Sequence, residues 1–266
     1  MSHACPVHLV ATVNDPRNRL AALTQRQLPA LLDLYCAVTL LCSQATSSET
    51  VALLRDLGAE VVYDDEEPDG HSYIGRKRRR ALHLGLAADA EYLQLCDFDR
   101  ALHWMATYPH ELTQIVAAIQ GYDLLVLGRT SRAFKTHPPY QTCTERLVNY
   151  VFGLAYGQEM DITAGSRGFS RRAAAYLVDR SREMTVGVDA EWPLLLQRVP
   201  GMIIGYQVCE GLEFETADGF ESEVEAAGGL AAWMETLSAS PQRWAYRLRM
   251  AAEIAEAAAR LSGQRT

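Results

Sequence analysis

Apolar residues in the first half of the chain fall into short runs separated by longer stretches of helical spacing. Five runs rich in aliphatic and β-branched residues stop abruptly at polar ones: 6–14 (PVHLVATVN), 37–44 (AVTLLCSQ), 60–65 (EVVYDD), 92–99 (YLQLCDFD) and 123–129 (DLLVLGR). Near-continuous apolar runs of this length predict strands buried on both faces, the condition of a parallel sheet. Between them, apolar positions at i, i+3 and i+4 predict amphipathic helices over 18–34, 48–58, 74–88 and 109–120. Gly58 and Gly121 stand where two of these helices should stop, and Ser47 or Ser48 can cap the second. The alternation predicts an α/β protein with a central, mostly parallel sheet flanked by helices.

Beyond residue 130 the pattern changes. Residues 130–142 (TSRAFKTHPPYQT) are rich in turn formers and are expected to be a loop, read as a mobile lid. Helices follow near 144–156 and 170–180. A third should begin around 190–192, because Pro193 is tolerated only in a first helical turn. A β segment over 201–214 completes the sheet region, and 241–263 reads as a helix with an apolar stripe. These features divide the chain into a main domain over 1–220 and a helical extension over 221–266 packed on it; the last helix either covers the sheet or makes a homodimer contact.

A chain of 266 residues, 48% hydrophobic and 22% charged, has room for one large core. The net charge of −8 argues against nucleic acid or an anionic membrane as a partner. Six scattered cysteines lack zinc or disulfide spacing, and no run reaches the roughly 18 apolar residues of a transmembrane segment. A reduced, cytoplasmic protein is expected.

The fourth run carries the chemistry. It ends in Asp97 and Asp99, and on an extended strand an i, i+2 pair points to one face. Two such carboxylates repel unless a cation or protons neutralise them, and oxygen ligands favour Mg²⁺ or Mn²⁺. The alternative is one aspartate capping the following turn and the other solvated. Five consecutive basic residues, 76–80, open the helix before this strand; Arg76 and Arg78 are candidates to meet a diphosphate, and the remainder form a solvated helix face. Small residues at Ala164, Gly165 and Gly168 would let backbone approach a ligand closely. Asp189 and Glu191 stand at a helix start facing the expected cleft, as catalytic carboxylates or as ordinary N-terminal charges.

In this order, residues 7–216 resemble the family 2 glycosyltransferases and their dolichyl-phosphate-mannose-synthase-like and sugar-phosphoglycerate-synthase-like relatives of the GT-A fold. Asn14-Asp15 matches the end of the family's first strand, CDFDR its metal-binding D-x-D, and DLLVLGRTSR the strand followed by an arginine. AGSRGFSRRAAAYL resembles the acceptor-side segment, with an extra Ser-Arg, and GVDAEW the acidic helix start. The chain departs from the pattern after the second strand, where Ser43-Gln44-Ala45-Thr46-Ser47-Ser48 replaces an acidic pair that contacts the nucleotide.

The resemblance implies transfer of a sugar from a UDP- or GDP-sugar to a small-molecule, lipid-phosphate or glycan acceptor. It places Mg²⁺ or Mn²⁺ at Asp97 and Asp99, and the donor near Asn14, Asp15, Arg76, Arg78, Arg129 and Gly165. Asp189, Glu191 or Asp161 would deprotonate the acceptor in an inverting reaction. A silent module that binds a nucleotide sugar or a partner protein is the competing class. A sugar-phosphate nucleotidyltransferase would need a glycine-rich loop after the first strand, and 12–20 contains no glycine.

Overall fold

The computed structural model describes residues 6–64 and 73–263. Cys5 and Asp65, the last residue of the expected third strand, lie outside them. Among the described residues, seven strands form one sheet: β1 (Val7–Val13), β2 (Ala37–Cys42), β3 (Glu60–Tyr63), β4 (Tyr92–Asp97), β5 (Leu124–Arg129), β6 (Ser166–Ser170) and β7 (Ile204–Cys209). Their order is β3-β2-β1-β4-β6-β5-β7, with β6 antiparallel to both neighbours and every other pairing parallel.

Alternate strand residues supply two cores. Leu9, Ala11 and Val13 of β1 face the side covered by α1 (Ala21–Leu34), α2 (Ser48–Asp56), α4 (Phe98–Thr107) and α5 (Pro109–Ile119). Val10 faces the opposite side, with α3 (Ile74–Ala87), α7 (Pro139–Tyr156), α8 (Arg171–Arg180), α9 (Val188–Gln197) and α12 (Pro241–Ser262). Between β5 and α7 lies the short α6 (Ser131–Lys135); α10 (Glu221–Ala226) and α11 (Leu230–Ser238) precede α12. The last helix packs against α7 and α9, so it roofs the second face. No helix among the described residues is long and apolar enough to cross a membrane.

Several local expectations are corrected. The strand carrying the aspartate pair stops at Asp97, and α4 starts at Phe98, so Asp99 belongs to a helical first turn. The one-face argument for the pair therefore fails; a strand-to-helix turn, not strand alternation, sets their relation. Residues 130–142 are not a loop. Thr130 caps α6 by accepting from the Ala133 N–H, Pro138 and Pro139 begin α7, and His137 between them is buried.

Residues 166–170 form β6 in the middle of the sheet. Gly168 is there for packing, because a Cβ would lie 2.3 Å from Ile119 Cγ1. Helix α9 begins at Val188, so Pro193 lies inside it, beyond the first turn. The chain accommodates this with a buried arginine: Arg167 Nη2 donates to the Asp189 carbonyl, the acceptor that an N–H at position 193 would reach.

Candidate functional site

Two chambers meet beyond the carboxyl ends of β1, β2 and β4, where open α/β sheets bind ligands. A strand-end chamber of about 420 Å³ is lined by Thr12, Asn14, Ser43, Asp64, Lys77 and Asp99. A helix-roofed chamber of about 210 Å³ lies under α7 and α12 and includes His137, Glu145, Gly165, Asp189, Arg247 and Met250. Ile74, Arg78, Asp97 and Glu215 line both.

Asp97 ends β4 between the two. Its Oδ1 accepts from Thr12 Oγ1 at 2.9 Å, a neighbour supplied by the β1–β4 register. Its side chain is 38% exposed, and Arg78 Nη2 lies 3.8 Å from Oδ2. Gly165, at φ +73°, passes behind it, and a Cβ there would stand 3.0 Å from Asp97 Oδ2. Only glycine takes both that torsion and that approach at low cost. Asp99 Oδ1 accepts from the Arg100 N–H at 2.8 Å. Burial, then the charges of Glu215 and Asp97, push its carboxyl up to about 7.

The basic run is largely consumed by the fold. Arg76 and Arg80 each donate at 2.8 Å to Asp64, a buried residue just past β3. Arg79 reaches the Glu183 carbonyl. The Arg76 N–H donates to the Met184 carbonyl, so the backbone at the start of α3 is partly covered. Arg78 is the arginine of the run that meets Asp97, and Asp189 aims it: Arg78 Nη1 donates to Asp189 Oδ1 at 2.6 Å, and Arg167 Nη1 lies 2.8 Å from the same oxygen. Asp189 is 2% exposed.

The other carboxylates named as candidate bases are also engaged. Arg129 grips Asp161 through Nε and Nη2 at 2.7 and 2.8 Å, and Asn149 donates to the same carboxylate. Burial alone would raise the Asp161 carboxyl, but these contacts hold it down to about 2. Glu191 accepts from Ser181 Oγ and from the Arg182 and Glu183 N–H groups, and it lines neither chamber. Asn14 is exposed and lines the strand-end chamber. Asp15 is buried and accepts from the Arg19 and Leu20 N–H groups, shaping the turn after β1. The serine-rich segment after β2 builds the adjoining wall: Ser43 Oγ donates to Asn14 Oδ1, and Ser47 caps α2.

Reading the sequence missed Arg100 and Glu215. Arg100 follows the aspartate pair, and its Nη2 donates to Glu215 Oε1 at 2.7 Å. Glu215, 115 residues away on the segment after β7, has no local pattern that marks it. Among the described residues, no three His, Cys, Asp or Glu side chains are already arranged around a metal position. The part-exposed Asp97 carboxylate and the surplus of negative charge that raises Asp99 fit a divalent cation beside the two aspartates.

No protein-family model matches the chain. No curated protein matches it either. Solved structures do share its fold. Glucosyl-3-phosphoglycerate synthase from Mycobacterium tuberculosis, in complex with Mn²⁺, UDP-glucose and phosphoglyceric acid, aligns at TM-score 0.51 and 16% identity, over 85% of this chain and 79% of that one. The same enzyme with phosphoglyceric acid alone aligns at TM-score 0.52 and 15% identity, over 75% and 68%. A mycobacterial protein aligns at TM-score 0.50 and 16% identity, over 75% of this chain and 64% of its own length. The chain has the GT-A fold of these structures.

Proposed function

We propose that the protein is a glycosyltransferase that moves a sugar from a UDP- or GDP-sugar to an acceptor hydroxyl, with Mg²⁺ or Mn²⁺ held by Asp97 and Asp99. The observation that carries this reading is Asp97 on the wall shared by two chambers, with Arg78 beside it. One chamber suits a nucleoside diphosphate and the other an acceptor, so the transferred group would cross at the aspartate. Solved structures that share the fold hold UDP, or UDP-glucose with Mn²⁺, and this supports the same ligand class here.

A divalent ion at this pair supplies Lewis-acid stabilisation of a departing diphosphate. The remaining work falls to the chain. Thr12 orients Asp97, and Arg78 places a second positive charge where the diphosphate oxygens gather negative charge. Asn14 and Ser43 offer an amide and a hydroxyl to the nucleoside. Asp189 acts by positioning Arg78, because its carboxylate already bridges two guanidinium groups. The ion pairs on Asp189 and Asp161 also favour a second reading, a module that binds a nucleotide sugar without transferring it.

The test is calorimetric titration of UDP and GDP with Mn²⁺ present, repeated on Asp97→Asn plus Asp99→Asn. Metal-dependent binding in the parent, lost in the variant, is expected. No binding of either nucleotide ends the proposal. Binding of a UDP- or GDP-sugar without its consumption, across an acceptor panel, selects the silent module.

A further inference from the structure

The helix-roofed chamber is electrically balanced. Among the described residues, four arginines and four carboxylates line it. Arg78 sits between Asp97 and Asp189, Arg129 and Arg247 both reach Glu145, and Arg100 holds Glu215. An anion entering this chamber beyond the shared wall, where Arg78 faces the proposed diphosphate, would meet cations whose charge is already answered.

Some hydrogen-bonding capacity is nonetheless left open, and it is of both kinds. Arg100 is 9% exposed, and its Nε and Nη1 are buried donors without partners among the described residues. His137 is 5% exposed, and its Nε2 is likewise buried and unpartnered. The tautomer of His137 follows from its other nitrogen, which lies 3.1 Å from the Ala133 carbonyl. A carbonyl can only accept, so Nδ1 carries the proton and Nε2 is a bare acceptor. Burial, then the Arg129 and Arg100 charges, hold the ring well below the usual histidine range, so it stays neutral. An edge-on contact with Phe214, at 5.5 Å between ring centres, fixes its plane. Glu215 Oε2, next in the chain, is a second open acceptor. The same chamber also carries an apolar surface of Ile74, Val148, Val186, Met250 and Ile254.

We infer that this chamber selects a neutral, polyhydroxylated ligand, a sugar or polyol, with His137 Nε2 and Glu215 accepting from its hydroxyls and Arg100 donating to them. Each hydroxyl both donates and accepts, so neighbouring hydroxyls satisfy both kinds of open group. A phosphate or carboxylate would satisfy Arg100 and leave the two acceptors empty. The C–H face of a sugar ring matches the apolar surface. The inference rests on the proposed transfer reaction for its meaning, since it names the acceptor class. It also marks a divergence from the relatives crystallised with phosphoglyceric acid.

The experiment uses the full chain with ¹⁵N-labelled histidine, saturated with UDP and Mg²⁺. It is titrated separately with methyl glycosides of glucose, mannose and galactose, and with 3-phosphoglycerate. The Nδ1–H tautomer of His137 is expected, with a glycoside shifting the Nε2 resonance. His137→Phe should weaken glycoside binding roughly five- to tenfold, the value of one hydrogen bond, with UDP affinity unchanged. His137→Gln keeps a polar group there if the phenylalanine variant fails to fold. An Nε2–H tautomer, preference for 3-phosphoglycerate, or no binding of any glycoside overturns the inference. UDP binding is measured in the same samples, so failure of the donor site is seen separately.

Discussion

The two chambers share a wall but are built in opposite ways. The strand-end chamber is made mostly by residues from the first hundred positions, joined by Glu215 and Tyr246, and among the charges it does not share with its neighbour Asp64 is settled close by, with Arg76 and Arg80. The helix-roofed chamber draws on α3, α4, α7, α9 and α12, and its charges are settled across more than a hundred residues, as in Arg78–Asp189, Arg100–Glu215 and Arg247–Glu145. In the first chamber the backbone turn places the functional groups. In the second, ion pairs hold the elements and the site together, so the site and the fold share the same side chains.

The largest test of this contrast is Asp189→Asn. It leaves Arg78 and Arg167 without their buried counter-charge, and losing one partner of a buried pair costs about 3–5 kcal/mol. A fall in Tm and in denaturant midpoint is expected together with weaker diphosphate binding, because Arg78 loses its aim. An unchanged Tm would show that the second chamber is not held by its charges. Gly165→Ala probes the shared wall. The left-handed torsion alone costs about 1–2 kcal/mol, and the methyl group would press on Asp97. Metal affinity should fall more than nucleotide-independent stability does, which comparing titrations with and without Mn²⁺ would reveal.

A third test concerns acidity in the strand-end chamber. The Asp99 carboxyl, raised to about 7, binds a proton more tightly folded than unfolded. Stability of the metal-free protein should therefore decline as pH rises from about 4 to about 7, and Mn²⁺ affinity should increase over pH 6–8 as the proton is displaced. Asp99→Asn should flatten the stability profile. A parent profile that is already flat across pH 4–7 would show that Asp99 has an ordinary acidity.

How much of this was legible follows the same division. Strands β1, β2, β4 and β5 were readable because burial leaves unbroken apolar runs, β3 at the sheet edge from its paired valines, and the helices α1, α2, α3 and α5 from their apolar spacing. Strand β6 was not, since Ser166-Arg167-Gly168 carries a buried arginine and a glycine where a strand pattern expects apolar residues. Helix α4 is hidden because Phe98 follows the strand directly and no glycine or proline separates the two elements. Asp97 and Arg78 could be singled out as charges at the ends of elements. Glu215, Arg247 and the open nitrogen of His137 acquire a role only when distant segments meet, and no local spacing carries that information.

The proline inside α9 has a consequence for how the sequence can drift. Arg167 occupies the Asp189 carbonyl with one nitrogen and the Asp189 carboxylate with another. Restoring an N–H at position 193 would bring a second donor to that carbonyl, and removing Arg167 would leave the carbonyl without its donor and the Asp189 carboxylate to Arg78 alone. Positions 167, 189 and 193 are thus expected to be epistatic, a change at one altering the cost of a change at the others, although 167 and 193 belong to different elements of the fold.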